Sequence, residues 1–192
     1  KQLLNYDDVL SRQRKIRYDR RDHILYSKTI SETMPDYFRL TSKTLCNQAT
    51  YVKDQETIVD AKKLAEVTAK ALSIDPSTIH VEALDQANIN DAIELFSAVL
   101  EKRYKEHSKD WTQERRDFAE KTVCLDCIDR RWTKHIDSMS KLRDAIWLRS
   151  YAQTDPLQAY TNEGFARFDD RNSNIANDVV RTILHVRFRK NP

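Results

Sequence analysis

Apolar residues in this chain recur at steps of three and four, the period of a helix with one buried face. The longest such stripe runs Phe118, Thr122, Leu125, Ile128, Trp132, Ile136, Met139, Leu142 and Ile146. A second runs Leu157, Tyr160, Phe165, Phe168, Ile175, Val179, Ile183 and Val186. Between them the pattern breaks at residues 148–154. It resumes at Asp155-Pro156-Leu157-Gln158, which reads as a helix start. Asp is the cap, Pro takes the first helical position, and the Gln side chain is placed to reach back to the cap. Two long stripes joined by a short break predict an antiparallel helical hairpin, bent at Arg149-Ser150-Tyr151-Ala152-Gln153-Thr154.

Upstream the stripes are shorter. Leu3, Tyr6, Leu10, Ile16 and Ile24 are loosely spaced for one helix face, and the helix is interrupted at Ser31-Glu32-Thr33-Met34-Pro35. Residues 37–51 and 56–72 read as two further helices, the second rich in Ala, Lys and Glu. Asp75-Pro76 is a short start signal, and Asn90 is placed to cap a helix through Ile93, Phe96, Val99, Leu100 and Tyr104. The expected fold is all-α.

Composition narrows this further. Gly164 is the only glycine in 192 residues, where average usage of about 7% would give roughly 13. Tight turns with positive φ are therefore expected to be nearly unavailable. That excludes a phosphate-binding P-loop, a dinucleotide GxGxxG, a nucleophile elbow and a β fold built of many hairpins. Hydrophobic residues make up 40% and charged residues 33%, enough to fill a core beneath solvated helix faces.

Net charge is only +3, but it is unevenly spread. Arg12 to Lys28 carries seven basic residues against Asp19 and Asp22, whereas Ala71 to Glu101 has no Lys or Arg and several acids. The end is basic again at Arg181, Arg187, Arg189 and Lys190. A middle stretch of different charge reads either as an inserted subdomain or as ordinary solvated faces. No apolar run approaches a membrane span, and the first residues have no signal-peptide shape. The opening lacks Met and is helical in pattern from the start, the look of a piece of a longer protein.

Candidate chemistry is sparse. Cys124 and Cys127 have C-x-x-C spacing but lie within the long stripe, with no second pair; helix residues without a metal are the better reading. Asp7-Asp8 is either a cation-binding pair or, more simply, a helix-surface pair. The five histidines are scattered, Trp132 and Trp147 read as core, and no catalytic constellation is apparent. At the bend, Tyr151 either packs back onto Trp147 or Leu148, or offers an aromatic face and a hydroxyl to another chain.

Three separated motifs carry a family resemblance. Lys1-Gln2-Leu3-Leu4-Asn5-Tyr6-Asp7-Asp8-Val9 resembles the opening of the long scaffold helix in the SecA family, the ATP-driven motor of bacterial protein export. Trp132-Thr133-Lys134-His135-Ile136, with Leu142-Arg143, resembles a second family segment. Leu148-Arg149-Ser150-Tyr151-Ala152-Gln153-Thr154-Asp155-Pro156, followed by Gln158-Ala159-Tyr160 and Glu163-Gly164-Phe165, resembles its finger loop. Order and intervals also match. Ser150 stands where the family usually has Gly, and Cys124 and Cys127 stand where it has ordinary helix residues.

The resemblance implies a helical scaffold domain in two segments, residues 1–47 and residues 113–192, with a helical wing domain, residues 48–112, inserted between them. The later scaffold segment would hold a two-helix finger. The resemblance also implies contact of the finger with the SecYEG channel and of its tip (Tyr151, with Arg149, Ser150 and Gln153) with the preprotein. It further implies packing on nucleotide-binding domains that hold ATP and Mg outside this chain, with no cofactor or metal within it. The location implied is cytoplasmic, peripheral at the inner face of the bacterial membrane, with anionic lipid as a further partner for the basic clusters. Read from the residues alone, those clusters also suit a nucleic-acid-binding helical module, and a passive helical spacer is a third reading.

Overall fold

The computed structural model describes residues 2–149 and 155–189. The elements run α1 (Gln2–Tyr26), α2 (Met34–Asn47), β1 (Thr50–Lys53), β2 (Glu56–Val59), α3 (Ala61–Leu72), α4 (Ile89–His107), α5 (Gln113–Arg149) and α6 (Pro156–Ile183). Single 3₁₀ turns at Pro76–Thr78 and Glu82–Leu84 precede α4. The chain divides into two compact units, Lys1–Lys28 with Cys124–Ile175, and Thr29–Val123 with Ala176–Pro192.

The first unit is a three-helix bundle. Arg149 faces Glu163, Ser138 faces Arg167, His135 faces Phe168, and Trp132 faces Arg171. Numbers fall along α5 as they rise along α6, so the two helices are antiparallel. Tyr6 meets Tyr160, Gln13 meets Gly164 and Arg20 meets Asn172, which sets α1 parallel to α6. The seam is closed by Met139, Leu142, Ile146 and Tyr160, each at most 1% exposed, with Tyr6, Val9 and Leu10 packed against them. Each such side chain contributes about 1.5–3 kcal/mol by leaving water.

The second unit packs α2 on α4, with Phe38 and Tyr104 rings 5.6 Å apart and Ser42 Oγ donating to the Ile93 carbonyl at 2.6 Å. Its helix starts reflect side-chain chemistry. Asp60 caps α3 by accepting from Lys63 N, and Asn88 caps α4 by accepting from Asn90 N. Pro35 sits in the first turn of α2, where its missing N–H costs nothing.

Four expectations need correction. Residues 56–72 are not one helix: Glu56–Val59 pairs with Thr50–Lys53 as an antiparallel hairpin, and the helix begins at Ala61. Thr50 and Tyr51 likewise belong to β1 rather than to the preceding helix. Positive φ is available without glycine, at Asp54, Gln55, Ser73 and Gln86. Asp54 and Gln55 form the two-residue hairpin turn, each at a cost of about 1–2 kcal/mol for a side chain in the left-handed region. Asn90 is not the α4 cap; Asn88 is, and Asn90 supplies the amide it accepts. The short Asp75 start signal does hold, with Asp75 Oδ1 accepting from Ser77 N at 2.9 Å, though the element it starts is a single 3₁₀ turn.

Candidate functional site

The hairpin of α5 and α6, with α1 laid along it, is where the sequence motifs converge. Tyr6, from the first motif, packs edge-on against Tyr160, from the third, at 4.9 Å between centroids. The Arg143 guanidinium, from the second, lies 5.1 Å over the same Tyr6 ring. Burial pushes the Tyr160 hydroxyl above its ordinary pKa.

Two turns further into the bundle a buried polar link joins all three helices. Gln13 on α1 is 4% exposed, as is His135 on α5. His135 Nε2 donates to Gln13 Oε1 at 2.7 Å, and Gln13 Nε2 donates to the Gly164 carbonyl of α6 at 3.3 Å. The carboxamide oxygen only accepts, so the imidazole keeps its proton on Nε2. Burial, then Arg171 and Arg167, hold the His135 pKa down to about 4, so the ring is neutral near pH 7. A Cβ at Gly164 would stand 2.5 Å from Met139 Cε, so the end of that methionine would have to shift to admit a side chain.

Along the same seam, two guanidiniums lie over the Trp132 ring, Arg17 at 5.4 Å and Arg171 at 5.6 Å from its centroid. Arg17 also donates to Asp129 at 2.7 Å, and Arg21 to the same carboxylate. Arg171 is 4% exposed; its Nε and Nη1 have no hydrogen-bond partner among the described residues, and Phe168 lies 4.4 Å below it. Aromatic faces thus hold this cation in place of a carboxylate. Burial, with Arg20 and Arg17 nearby, pulls its pKa down to about 10.

Toward the bend, Asp155 Oδ1 accepts from Gln158 N at 3.0 Å, so the cap is in place. The reciprocal half of the expected box is not formed: Gln158 Nε2 donates forward to Asn162 Oδ1 at 2.9 Å. Arg149 Nη2 pairs with Glu163 at 3.2 Å across the hairpin, both side chains partly exposed. Ser150, Tyr151 and Gln153 lie outside the described residues. Trp147 is 75% exposed and Leu148 76%, so Trp147 is not the core residue its type suggested, while Trp132 is. Phe118, Ile136 and Phe165 on the stripes and Ile16 on α1 are exposed as well.

Cys124 and Cys127 are buried thiols on the inner side of α5, and among the described residues no group of three His, Cys, Asp or Glu is placed to hold a metal. Asp8 forms an exposed helix-surface pair with Arg12 at 3.0 Å. No described helix is long and apolar enough to cross a membrane.

Gln13, His135 and Arg171 were not singled out from sequence as functional, because each interrupts an apolar stripe. The signal was present: 128, 132, 135, 139, 142 and 146 keep the helical step better with His135 than with Ile136.

These features define a helical scaffold, one long helix pinned to both arms of a helical hairpin. Residues 1–187 match the family model described as "SecA Wing and Scaffold domain". The chain belongs to this family. It is 29% identical to "Protein translocase subunit SecA" of Clostridium novyi over all of this chain and 23% of that protein. It is 31% identical to the protein of that name in Clostridium beijerinckii, over all of this chain and 22% of the relative. For that of Finegoldia magna, identity is 32% over 97% of this chain and 20% of the relative. The chain thus spans less than a quarter of the length of these curated relatives.

Proposed function

We propose that this chain is the portion of an ATP-driven protein translocase that carries motor movement to the polypeptide being exported. The observation that carries the reading is the buried link from Gln13 to His135 and Gly164, which ties α1 to both arms of the hairpin. A displacement of α1 is then a displacement of the hairpin, because packed helices joined by buried polar contacts shift as bodies rather than deform. Nucleotide-binding domains holding ATP and Mg, outside this chain, would supply the displacement.

The working end is the bend at 149–154. A channel-threaded substrate has arbitrary sequence, so its contact needs tolerant chemistry: the ring and hydroxyl of Tyr151, the amide of Gln153, the hydroxyl of Ser150, and an Arg149 whose charge is partly engaged by Glu163. The exposed Trp147 and Leu148 extend that surface with apolar area. The channel partner is SecYEG, the substrate a preprotein, and the location the cytoplasmic face of the bacterial membrane, where the basic residues of α1 suit anionic lipid. The wing domain at 48–112 lies between the two scaffold segments, 1–47 and 113–192.

The test is a chimera in which this chain replaces the matching segment of Clostridium beijerinckii SecA. Tyr151→Ala should lower preprotein translocation into membrane vesicles about tenfold, and Tyr151→Phe should restore most of it, since the ring supplies most of the contact area. Equal translocation by the alanine variant, at unchanged melting temperature, contradicts the reading.

A further inference from the structure

In the second unit, α3, the Pro76–Thr78 turn and α4 enclose an open groove of about 530 Å³ that the export reading does not use. Its apolar wall is Ile74, Ile79, Phe96 and Val99, and its rim carries Lys102 and Arg103 from the later turns of α4. The one carboxylate on the lining, Glu106, is engaged by Lys109 at 2.7 Å, which also depresses its pKa. The rim is therefore net cationic, although the stretch from Ala71 to Glu101 contains no Lys or Arg. Thr68, 1% exposed, lines the same groove, and its hydroxyl has no hydrogen-bond partner among the described residues. Arg103 is held at the rim by donating to the Thr78 carbonyl and hydroxyl, each at 3.1 Å, which keeps its charge in position without neutralising it.

We propose that this groove is a docking site for an acidic peptide segment with apolar anchors, the anchors lying on Val99 above the buried Phe96 and the carboxylates meeting Lys102 and Arg103. The volume is that of an ordinary ligand cleft. The pattern of apolar floor, cationic edge and satisfied acid selects against basic or uncharged segments.

The experiment titrates this chain, labelled with ¹⁵N, with a peptide of about ten residues alternating leucine or phenylalanine with glutamate. The same peptide with lysine for glutamate, and decanoate as a lipid-like anion, serve as comparisons. Saturable shifts at Val99, Lys102 and Arg103 with the acidic peptide are expected, weakened about tenfold by Lys102→Glu and by Val99→Glu. Circular dichroism and melting establish that both variants remain folded. No saturable binding, equal binding of the lysine peptide, or indifference to both substitutions overturns the proposal. Preferential saturation by decanoate overturns it in favour of a lipid-type occupant.

Discussion

Gln13 and His135, 122 residues apart in sequence, share a 2.7 Å hydrogen bond in which the imidazole Nε2–H donates to the carboxamide oxygen. Nε2 carries a proton in either charge state, so the bond itself does not choose between them; burial of the ring is what favours its neutral form. Protonation would place a cation beside Arg171 and Arg167 in a low-dielectric seam.

Stability should therefore depend on pH through His135. Its pKa is about 4 folded and near 6.5 unfolded, so the unfolded chain binds the proton more readily. The contribution is complete above about pH 6.5 and is lost progressively as pH falls toward 4, by up to about 3 kcal/mol. Urea unfolding at pH 7.5 and pH 5 should show a lower midpoint at pH 5, and His135→Gln should remove most of that difference. An unchanged difference in the variant would assign the pH dependence to other groups.

Gly164 on α6 packs against the Met139 side chain of α5. Gly164→Val should cost about 2 kcal/mol or more, since its Cβ meets Met139 Cε and Sδ and a branched side chain adds further overlap. In a Met139→Ala background the cost should shrink, giving a coupling of about 1 kcal/mol or more in the double-mutant cycle. Additive losses would mean that the two positions do not press on one another.

Glu120, 1% exposed in the second unit, accepts from the Tyr104 hydroxyl at 2.7 Å and from Ser31 Oγ at 2.8 Å. Burial and this carboxylate push the Tyr104 pKa upward. Glu120→Ala leaves two donors without an acceptor and should cost about 2–4 kcal/mol. Glu120→Gln, which can still accept one of the bonds, should cost less. Equal losses in chemical denaturation would argue that volume, not hydrogen bonding, matters there.

Cys46, Cys124 and Cys127 are each fully buried. Burial raises the Cys46 thiol to about 11. Native protein at pH 8 should react with a disulfide reagent only as fast as it opens, and at three equivalents once unfolded. Rapid native labelling would place at least one thiol at the surface.

The long helices were legible in the sequence because α5 and α6 repeat apolar residues at the helical step for many turns, and Asp155-Pro156 announces the second. The β-hairpin was not, because Thr57, Ile58 and Val59 run directly into a helix-forming Ala/Lys stretch, and its turn uses Asp54 and Gln55 where glycine would have been the signal. The end of α5 and the start of α6 were visible as a broken stripe. The polar link was hidden because a glutamine and a histidine on apolar faces look like flaws until their partners, 122 and 151 residues away, are seen. Trp147 misled for the opposite reason: large and aromatic, it stands on the outside.

If α5 and α6 present position 151 to a moving polypeptide, that position must touch the preprotein while it is being moved. The direct measurement places a photo-crosslinking amino acid at 151 in the Clostridium beijerinckii SecA chimera during translocation of a stalled preprotein. The expected result is a covalent adduct with the preprotein that depends on ATP and is strongly reduced when the label is moved to the exposed helix-surface position 141. Absence of any adduct from 151 while the chimera translocates, or equal yield from 141, would contradict it.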